Sequence, residues 1–230
     1  GLLASTLVRD GGTLQIGIGA MGDALAAALM ARQHDNSRYR SLVQALGGGG
    51  NWGQTINANG GLTPLEQGLY GCSEMFVNGL LALAEAGLVR RAVYPDVRLQ
   101  RLALGGALDD QGRPRSVQAL LDAGLASALQ PSELSWLHEC GLLHGDVQWE
   151  DGCLHLPDGS RAAADLDDPD TQARLQPWLG RARGGVVLHG GFFLGPEGFY
   201  RRLRALDDAQ RQQFIRLLEQ VRDNLSFPGQ

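Results

Sequence analysis

Two short segments of the chain carry residues whose types and spacing could do chemistry. The first is GIGAMG at 17–22, which has glycines at the spacing GxGxxG. Such glycines let a ligand approach the main chain, and free N–H groups at a helix start favour a phosphate or a developing oxyanion. The second is GCSEM at 71–75, where a single carboxylate, Glu74, follows an apolar stretch. A carboxylate there can act as a nucleophile, or it can simply cap the helix that follows.

The glycine segment by itself leaves three uses open. A dinucleotide-binding fold places an acidic residue about 20 positions further on to hold the ribose. This chain has RYRSLVQALG at 38–47, without an acid. A nicotinamide or flavin site is therefore disfavoured, and the alternatives are purely structural glycines or a different use of the same backbone geometry.

Two strand-turn-helix units would position these segments. A β-rich stretch at 13–18 runs through the glycines into an Ala- and Leu-rich helix at 23–32. A second apolar stretch at 69–75 leads into helical spacing at 76–88, with Gly87 as the stop signal. This alternation predicts an α/β fold with a mostly parallel sheet flanked by helices.

The remaining segments are assigned within one domain that spans 1–230. Further strands are predicted at 92–94, 102–104 and 185–194, and further helices at 2–9, at 117–129 and at the end of the chain, where Phe214, Leu217, Leu218, Val221 and Leu225 share a face. The Gly-rich segment 34–68 has loop composition and is predicted to be an insertion. The segment 132–184 is predicted to be an irregular insertion with small hairpins at Asp151-Gly152 and Asp158-Gly159.

Composition excludes several classes of function. The 20 basic residues are all arginine, which removes lysine Schiff-base chemistry and any phosphate loop that needs its lysine. A net charge of −5 disfavours nucleic acid as a partner. No apolar run reaches the roughly 20 residues that cross a bilayer, and three cysteines without a CxxC pair indicate reduced thiols. We therefore expect a soluble, cytoplasmic protein without a membrane partner.

Two other groups of residues give only weak evidence for a functional site. His189-Gly190-Gly191 matches part of the HGGG oxyanion loop of lipases, but the chain has no GxSxG segment to supply the serine. Five side chains could ligate zinc, yet their spacing fits no standard structural site, and they are His138, Cys140, His144, Cys153 and His155. We predict no metal site.

Three blocks together resemble the acetyl-CoA hydrolase/transferase family of CoA-transferases. They are DGGTLQIGIGAMGDAL at 10–25, LYGCSEMFVNGLLALAEAGLV at 69–89 and VVLHGGFFLGPEGFYRRLRAL at 186–206. The first two are similar, in the same order, to the family's LQIGIGAxxDA block and to its G-x-x-(S/T)-E-M block. The third resembles an HxGFFLGP stretch of a bacterial subgroup. The family usually has proline where Gly22 stands and His or Tyr near Cys72.

The resemblance implies a fold, a nucleophile and a substrate. The fold is that of NagB, RpiA and the CoA-transferases, and Glu74 aligns with the nucleophile that forms a glutamyl-CoA thioester. Coenzyme A is then a substrate, no cofactor is permanently bound, and the acyl acceptor is a small carboxylate or water. The main-chain N–H groups that bind the oxyanion come from the glycine turn, and the residues matched to binding are Gly17, Gly19, Ala20, Met21 and Gly22.

The resemblance also implies that the chain is a fragment of the catalytic C-terminal half. Family members have a preceding CoA-transferase-type half and a later GVGGQ-type glycine turn, and neither occurs between residues 1 and 230. An incomplete sheet with exposed edges predicts a homo-oligomer. Two alternatives remain open: a nucleotide- or phosphate-binding module that uses 17–22 without covalent chemistry, and a catalytically silent remnant that acts only through assembly.

Overall fold

The computed structural model describes residues 1–208, which form ten α-helices and six strands. In chain order the elements are α1 (Leu2–Ser5), β1 (Thr13–Gln15), α2 (Ala20–His34), α3 (Asn36–Ala45), α4 (Gly50–Asn59), β2 (Tyr70–Phe76), α5 (Asn78–Glu85), α6 (Val97–Leu104), α7 (Val117–Asp122), α8 (Pro131–Glu139), β3 (Gln148–Glu150), β4 (Cys153–His155), β5 (Arg161–Ala163), α9 (Pro169–Leu175), a 3-10 turn (Gln176–Trp178), β6 (Leu188–Phe193) and α10 (Glu197–Arg204). The predicted C-terminal helix face around Phe214 lies outside the described residues.

The chain divides into two compact units. The first is formed by Gly1–Ala92 together with the described residues from Val186 onward, and the second by Val93–Gly185. The segment 132–184, predicted as an insertion, lies wholly within the second unit. No helix within residues 1–208 is both long and apolar enough to cross a membrane.

The first unit contains a parallel sheet of three strands in the order β1-β2-β6. One face of this sheet presents Leu14, Gly71 and Leu188, which are buried with residues of α2 and α5. The predicted α/β class with a parallel sheet flanked by helices is therefore confirmed. Helix α5 ends as predicted at Gly87, whose φ is +71°, because the N–H of Leu88 then reaches the carbonyl of Leu83 at 2.9 Å.

The prediction of a loop at 34–68 was wrong, because α3 and α4 occupy most of this segment. The Asp35 carboxylate accepts a hydrogen bond from the N–H of Arg38 and caps α3. Tyr39, Val43 and Ile56 are buried and form a small core between the two helices. The glycines at 47–50 lead from α3 into α4. Burial of the three side chains stabilises the two helices despite the loop-like composition of the segment.

Two polar side chains anchor the N-terminal segment of the first unit. Arg32 is 1% exposed and donates to the carbonyls of Ser5, Val8 and Thr63 at 2.7–3.2 Å. The Asp10 carboxylate accepts hydrogen bonds from the backbone N–H groups of residues 11 and 66–68. Burial would raise the pKa of Asp10, but these hydrogen bonds outweigh burial and hold the pKa below its usual value.

The second unit packs helices α6–α9 and a small antiparallel sheet, β3-β4-β5, around a leucine-rich core. The predicted hairpins at 151–152 and 158–159 are confirmed as the connections β3–β4 and β4–β5. The predicted strand at 102–104 was wrong. Asp96 caps α6 by accepting from the N–H of Leu99 at 2.8 Å, and Leu99 and Leu102 bury one face of that helix.

Candidate functional site

Glu74 lies near the carboxyl end of β2, the central strand of the parallel sheet. The neighbouring strands are in register, with Gln15 of β1 and His189 of β6 on either side of Cys72. The hydroxyl of Ser73 donates to the carbonyl of Ile16 at 2.7 Å, which extends the contact between β1 and β2 by one residue. Because the carboxyl ends of parallel strands meet at one edge, the glycine turn that follows β1 begins beside Glu74.

The glycine turn is shaped by two of its glycines. Gly19, just before α2, has φ +116°, a conformation that side chains rarely adopt. A Cβ on Gly22 would lie 2.7 Å from both the carbonyl oxygen of Gly17 and Cγ2 of Ile16, so only glycine fits. These two glycines therefore fix the tight entry into α2 that the GxGxxG spacing predicts.

Gly17 has no such structural reason to be glycine. Its φ lies outside the left-handed region and a Cβ there would meet no atom within 4 Å. Gly17 lies two residues after Gln15, beyond the end of β1. On the other side of β2, the register with β6 puts Gly191 beside Glu74, and a Cβ on Gly191 would lie 2.8 Å from the Glu74 carbonyl oxygen. The central carboxylate thus stands next to a strand position that carries no side chain.

The Glu74 side chain is exposed and is not tied down. Within residues 1–208 its carboxylate has no hydrogen-bond or ion-pair partner. Two large apolar side chains of the adjacent turn are also exposed, Ile18 at 59% and Met21 at 67%. A free carboxylate beside open backbone and apolar surface can attack an electrophilic carbon that a ligand brings to this edge.

Two helices begin close together at this edge of the sheet. Helix α2 starts at Ala20 and α5 at Asn78, and a Cβ on Gly79 would lie 3.5 Å from the Gly22 carbonyl oxygen. In the described part of the chain, the N–H groups of Ala20 and Met21 have no acceptor. Free N–H groups and the positive end of a helix dipole favour a negatively charged oxygen. The geometry around the turn therefore suits an anion or an oxyanion.

Helix α10 covers the far end of the same sheet face. Phe199 packs against Phe76 and Phe193, with ring centroids 5.9 and 6.4 Å away. Arg202 of α10 donates to Asn78 at 2.7 Å and pairs with Glu85, so that α10 is fixed to α5. This packing covers the sheet face beyond Glu74, at Phe76 and Phe193.

A polar cluster that the sequence analysis did not connect with the site lies on the Glu74 face. Tyr70, Cys72 and Glu74 alternate along β2 and so share a face, and the Tyr70 hydroxyl forms a short hydrogen bond with Nδ1 of His189. Burial lowers the pKa of His189 and raises that of Tyr70. The guanidinium of Arg91 lies 5.6 Å from the Tyr70 ring centroid. The sequence signal for this shared face is the alternation of Tyr70, Cys72 and Glu74 along one strand.

Comparisons with known proteins identify no relative. No protein-family profile matches the chain, and neither the curated proteins nor the solved structures contain a significant match. The five residues predicted to bind coenzyme A follow β1 directly, and three of them, Ala20, Met21 and Gly22, form the first turn of α2. None of the metal-ligand candidates His138, Cys140, His144, Cys153 and His155 belongs to a group of three or more such side chains within residues 1–208.

Proposed function

We propose that this chain belongs to the acyl-CoA hydrolases and CoA-transferases and that Glu74 is its nucleophile. The observation that carries this proposal is the exposed, unpartnered carboxylate of Glu74 at the carboxyl end of the central strand, beside Gly191 of β6. The resemblance of three sequence blocks to the acetyl-CoA hydrolase/transferase family supports it. The finer fold assignment, to the NagB, RpiA and CoA-transferase type, is part of the same proposal.

The proposed reaction proceeds through two attacks. A carboxylate oxygen of Glu74 attacks the thioester carbon of acyl-CoA, the C–S bond breaks, and an acyl-glutamyl anhydride and CoA thiolate result. The thiolate then attacks the glutamyl carbonyl carbon, the anhydride C–O bond breaks, and the acyl group leaves as a carboxylate. A glutamyl-CoA thioester remains, and a second carboxylate or water resolves it. A carboxylate suits this work because it is ionised at neutral pH and is regenerated unchanged.

The glycine turn supplies oxyanion stabilisation in this scheme. Each attack turns a carbonyl oxygen into an oxyanion, and the free N–H groups of Ala20 and Met21 lie at the positive end of α2. Gly17 and Gly19 let the ligand come close to this backbone, and Gly22 lets α2 start directly beside it. Met21 adds exposed apolar surface for the acyl-CoA.

Intact-protein mass spectrometry tests the proposal. The wild-type chain is incubated with acetyl-CoA, and we expect an adduct whose added mass is that of coenzyme A less one water, as a thioester requires, and which is absent from Glu74→Gln. Glu66→Gln is the matched control, because Glu66 is also exposed in the first unit and its side chain has no partner within residues 1–208. An adduct of equal yield on Glu74→Gln would contradict the assignment.

The second candidate is a nucleotide- or phosphate-binding module without covalent chemistry. The free N–H groups at the start of α2 favour it, since they suit a phosphate as well as an oxyanion. It predicts that binding of coenzyme A or a nucleotide survives Glu74→Gln and that no adduct forms on the wild type. Equilibrium binding measured on both proteins distinguishes the two functions.

We further propose that the protein works in the cytoplasm and assembles with copies of itself. The three free thiols of Cys72, Cys140 and Cys153 fit a reducing compartment. Within the described residues, β1 and β6 are edge strands of the parallel sheet, and such edges favour association. Light scattering at several protein concentrations tests the assembly, and a monomer at all of them would contradict it.

A further inference from the structure

The second polar group on the Glu74 face is His189. It stands in register beside Cys72, one strand over and two residues back from Glu74. With about 3.3 Å per residue and 4.8 Å between strands, the Cα atoms of His189 and Glu74 are roughly 8 Å apart. That separation leaves room on the sheet face for a carbonyl group and a water molecule between the two side chains.

The imidazole of His189 is oriented by one partner only. Its Nδ1 is bonded to the Tyr70 hydroxyl, and its Nε2 has no partner within residues 1–208. Tyr70 is held in turn, since Arg91 lies against its ring and donates to the Thr13 hydroxyl at 2.8 Å. When Nδ1 carries the hydrogen and donates it to Tyr70, Nε2 presents a lone pair to the sheet face. Burial keeps this imidazole neutral by lowering the pKa of His189.

We propose that His189 is the general base that directs water onto the glutamyl-CoA thioester, so that the chain acts as an acyl-CoA hydrolase. This inference rests on the proposed function of Glu74 and adds the identity of the acceptor. Other side chains of the face suit the task less. A thiol such as Cys72 is a weak acceptor, and burial raises the pKa of Tyr70, so that its hydroxyl stays protonated.

In this hydrolysis one proton of the water passes through His189 to the CoA thiolate. Nε2 of His189 takes a proton from water while the water oxygen bonds to the thioester carbon of Glu74. The tetrahedral intermediate collapses, the C–S bond breaks, and the CoA thiolate takes the proton from the imidazolium. The new carboxyl group of Glu74 releases its remaining proton to solvent, which restores the starting carboxylate.

The decay of the isolated adduct tests this step by itself. The glutamyl-CoA form of the full chain is prepared with acetyl-CoA, separated from free ligand and followed by mass spectrometry. We expect His189→Gln to form the adduct at a rate within a few-fold of wild type and to hydrolyse it about 100-fold more slowly or worse. Transfer of CoA from the adduct to added acetate needs no base, so it should proceed at the wild-type rate.

Three variants guard against a merely structural effect. His34→Gln changes an exposed histidine at the end of α2 and should leave hydrolysis unchanged. Tyr70→Phe removes the partner of Nδ1, and we expect a smaller slowing of adduct hydrolysis because Tyr70 only positions His189. Added imidazole should restore hydrolysis to His189→Ala, which a packing defect would not allow.

The outcomes separate this inference from the proposed function. If wild type forms no adduct, the function proposed for Glu74 is wrong and the inference falls with it. If wild type forms the adduct and His189→Gln hydrolyses it at the wild-type rate, the role of His189 is refuted while that of Glu74 stands. A folded His189→Gln chain that forms no adduct would also refute it, because a base for water has no part in making the thioester.

Discussion

Two alanine substitutions in the glycine turn should change stability in opposite directions. Gly17→Ala adds a methyl group that meets no atom within 4 Å, and the φ angle of Gly17 lies outside the left-handed region. Alanine at such a position stabilises by about 0.4–1 kcal/mol, because it narrows the unfolded ensemble. Gly22→Ala puts a methyl group 2.7 Å from the Gly17 carbonyl oxygen and from Ile16 Cγ2. Since backbone must shift to admit it, we expect a loss of about 1–3 kcal/mol.

The same two substitutions distinguish an effect on stability from an effect on the rate of the proposed reaction. The added methyl of Gly17→Ala stands in open space at the start of the glycine turn, so under the proposed function it should hinder the approach of acyl-CoA. We therefore expect a chain that is as stable as wild type or more so, yet forms the glutamyl-CoA adduct at least about tenfold more slowly, a change of roughly 1.4 kcal/mol in the barrier.

The assay combines urea unfolding, followed by circular dichroism, with the rate of adduct formation at saturating acetyl-CoA. Gly87→Ala serves as a third variant, because Gly87 lies in the same unit at φ +71° and should lose stability from backbone strain alone. A Gly17→Ala chain that is destabilised by more than about 1 kcal/mol, or that forms the adduct at the wild-type rate, would refute the assignment of an open approach at Gly17.

Three further predictions concern buried and hydrogen-bonded groups. Arg32→Met removes a buried guanidinium and leaves the carbonyl groups of Ser5, Val8 and Thr63 without this donor, so it should cost about 3 kcal/mol in urea unfolding, whereas Arg40→Met, on an exposed arginine, should change stability by less than about 0.5 kcal/mol. Because the folded pKa of Asp10 lies below its usual 3.8, its stabilising effect is fully present above that value and is lost as the pH falls through the folded pKa, so Asp10→Asn should be less stable than wild type at pH 7 and the difference should shrink as the pH is lowered below 3.8. Burial, with nearby acids, raises the pKa of the Cys140 thiol to about 11, so iodoacetamide at pH 8 should label it only after unfolding, while the half-buried Cys153 reacts in the folded chain.

The parallel sheet and its two strand-turn-helix units were predictable because local signals and packing agree there. The β-rich stretch before the glycines, the left-handed Gly87 and the Asp-Gly turns each specify one conformation almost by themselves. The segment 34–68 was not predictable from composition. Its helices are held by the local cap of Asp35 on α3 and by the burial of Tyr39 against Ile56, and the second of these is a contact between residues distant in sequence.

The sequence predicts the parts of the candidate site that carry a local pattern. It does not predict the residues that strand pairing brings in from a distant part of the chain. The glycine turn and Glu74 carry local patterns, and both lie at the carboxyl edge where a parallel sheet brings them together. His189 and Gly191 come from a strand more than a hundred residues later, and only the register of β2 with β6 places them beside Cys72 and Glu74. The hydrogen bond between Tyr70 and His189 likewise follows from strand pairing, which the spacing of residues in one sequence does not reveal.

Site-resolved mass spectrometry of the trapped intermediate tests the central claim most directly. The chain is incubated with acetyl-CoA, reduced with borohydride and digested, and each peptide is compared with that of an untreated sample. We expect the Glu74 carboxyl group alone to be reduced to a primary alcohol, because only a thioester or anhydride at that carbon reacts. Modification at another residue, or an unchanged Glu74 in a chain that hydrolyses acetyl-CoA, would contradict it.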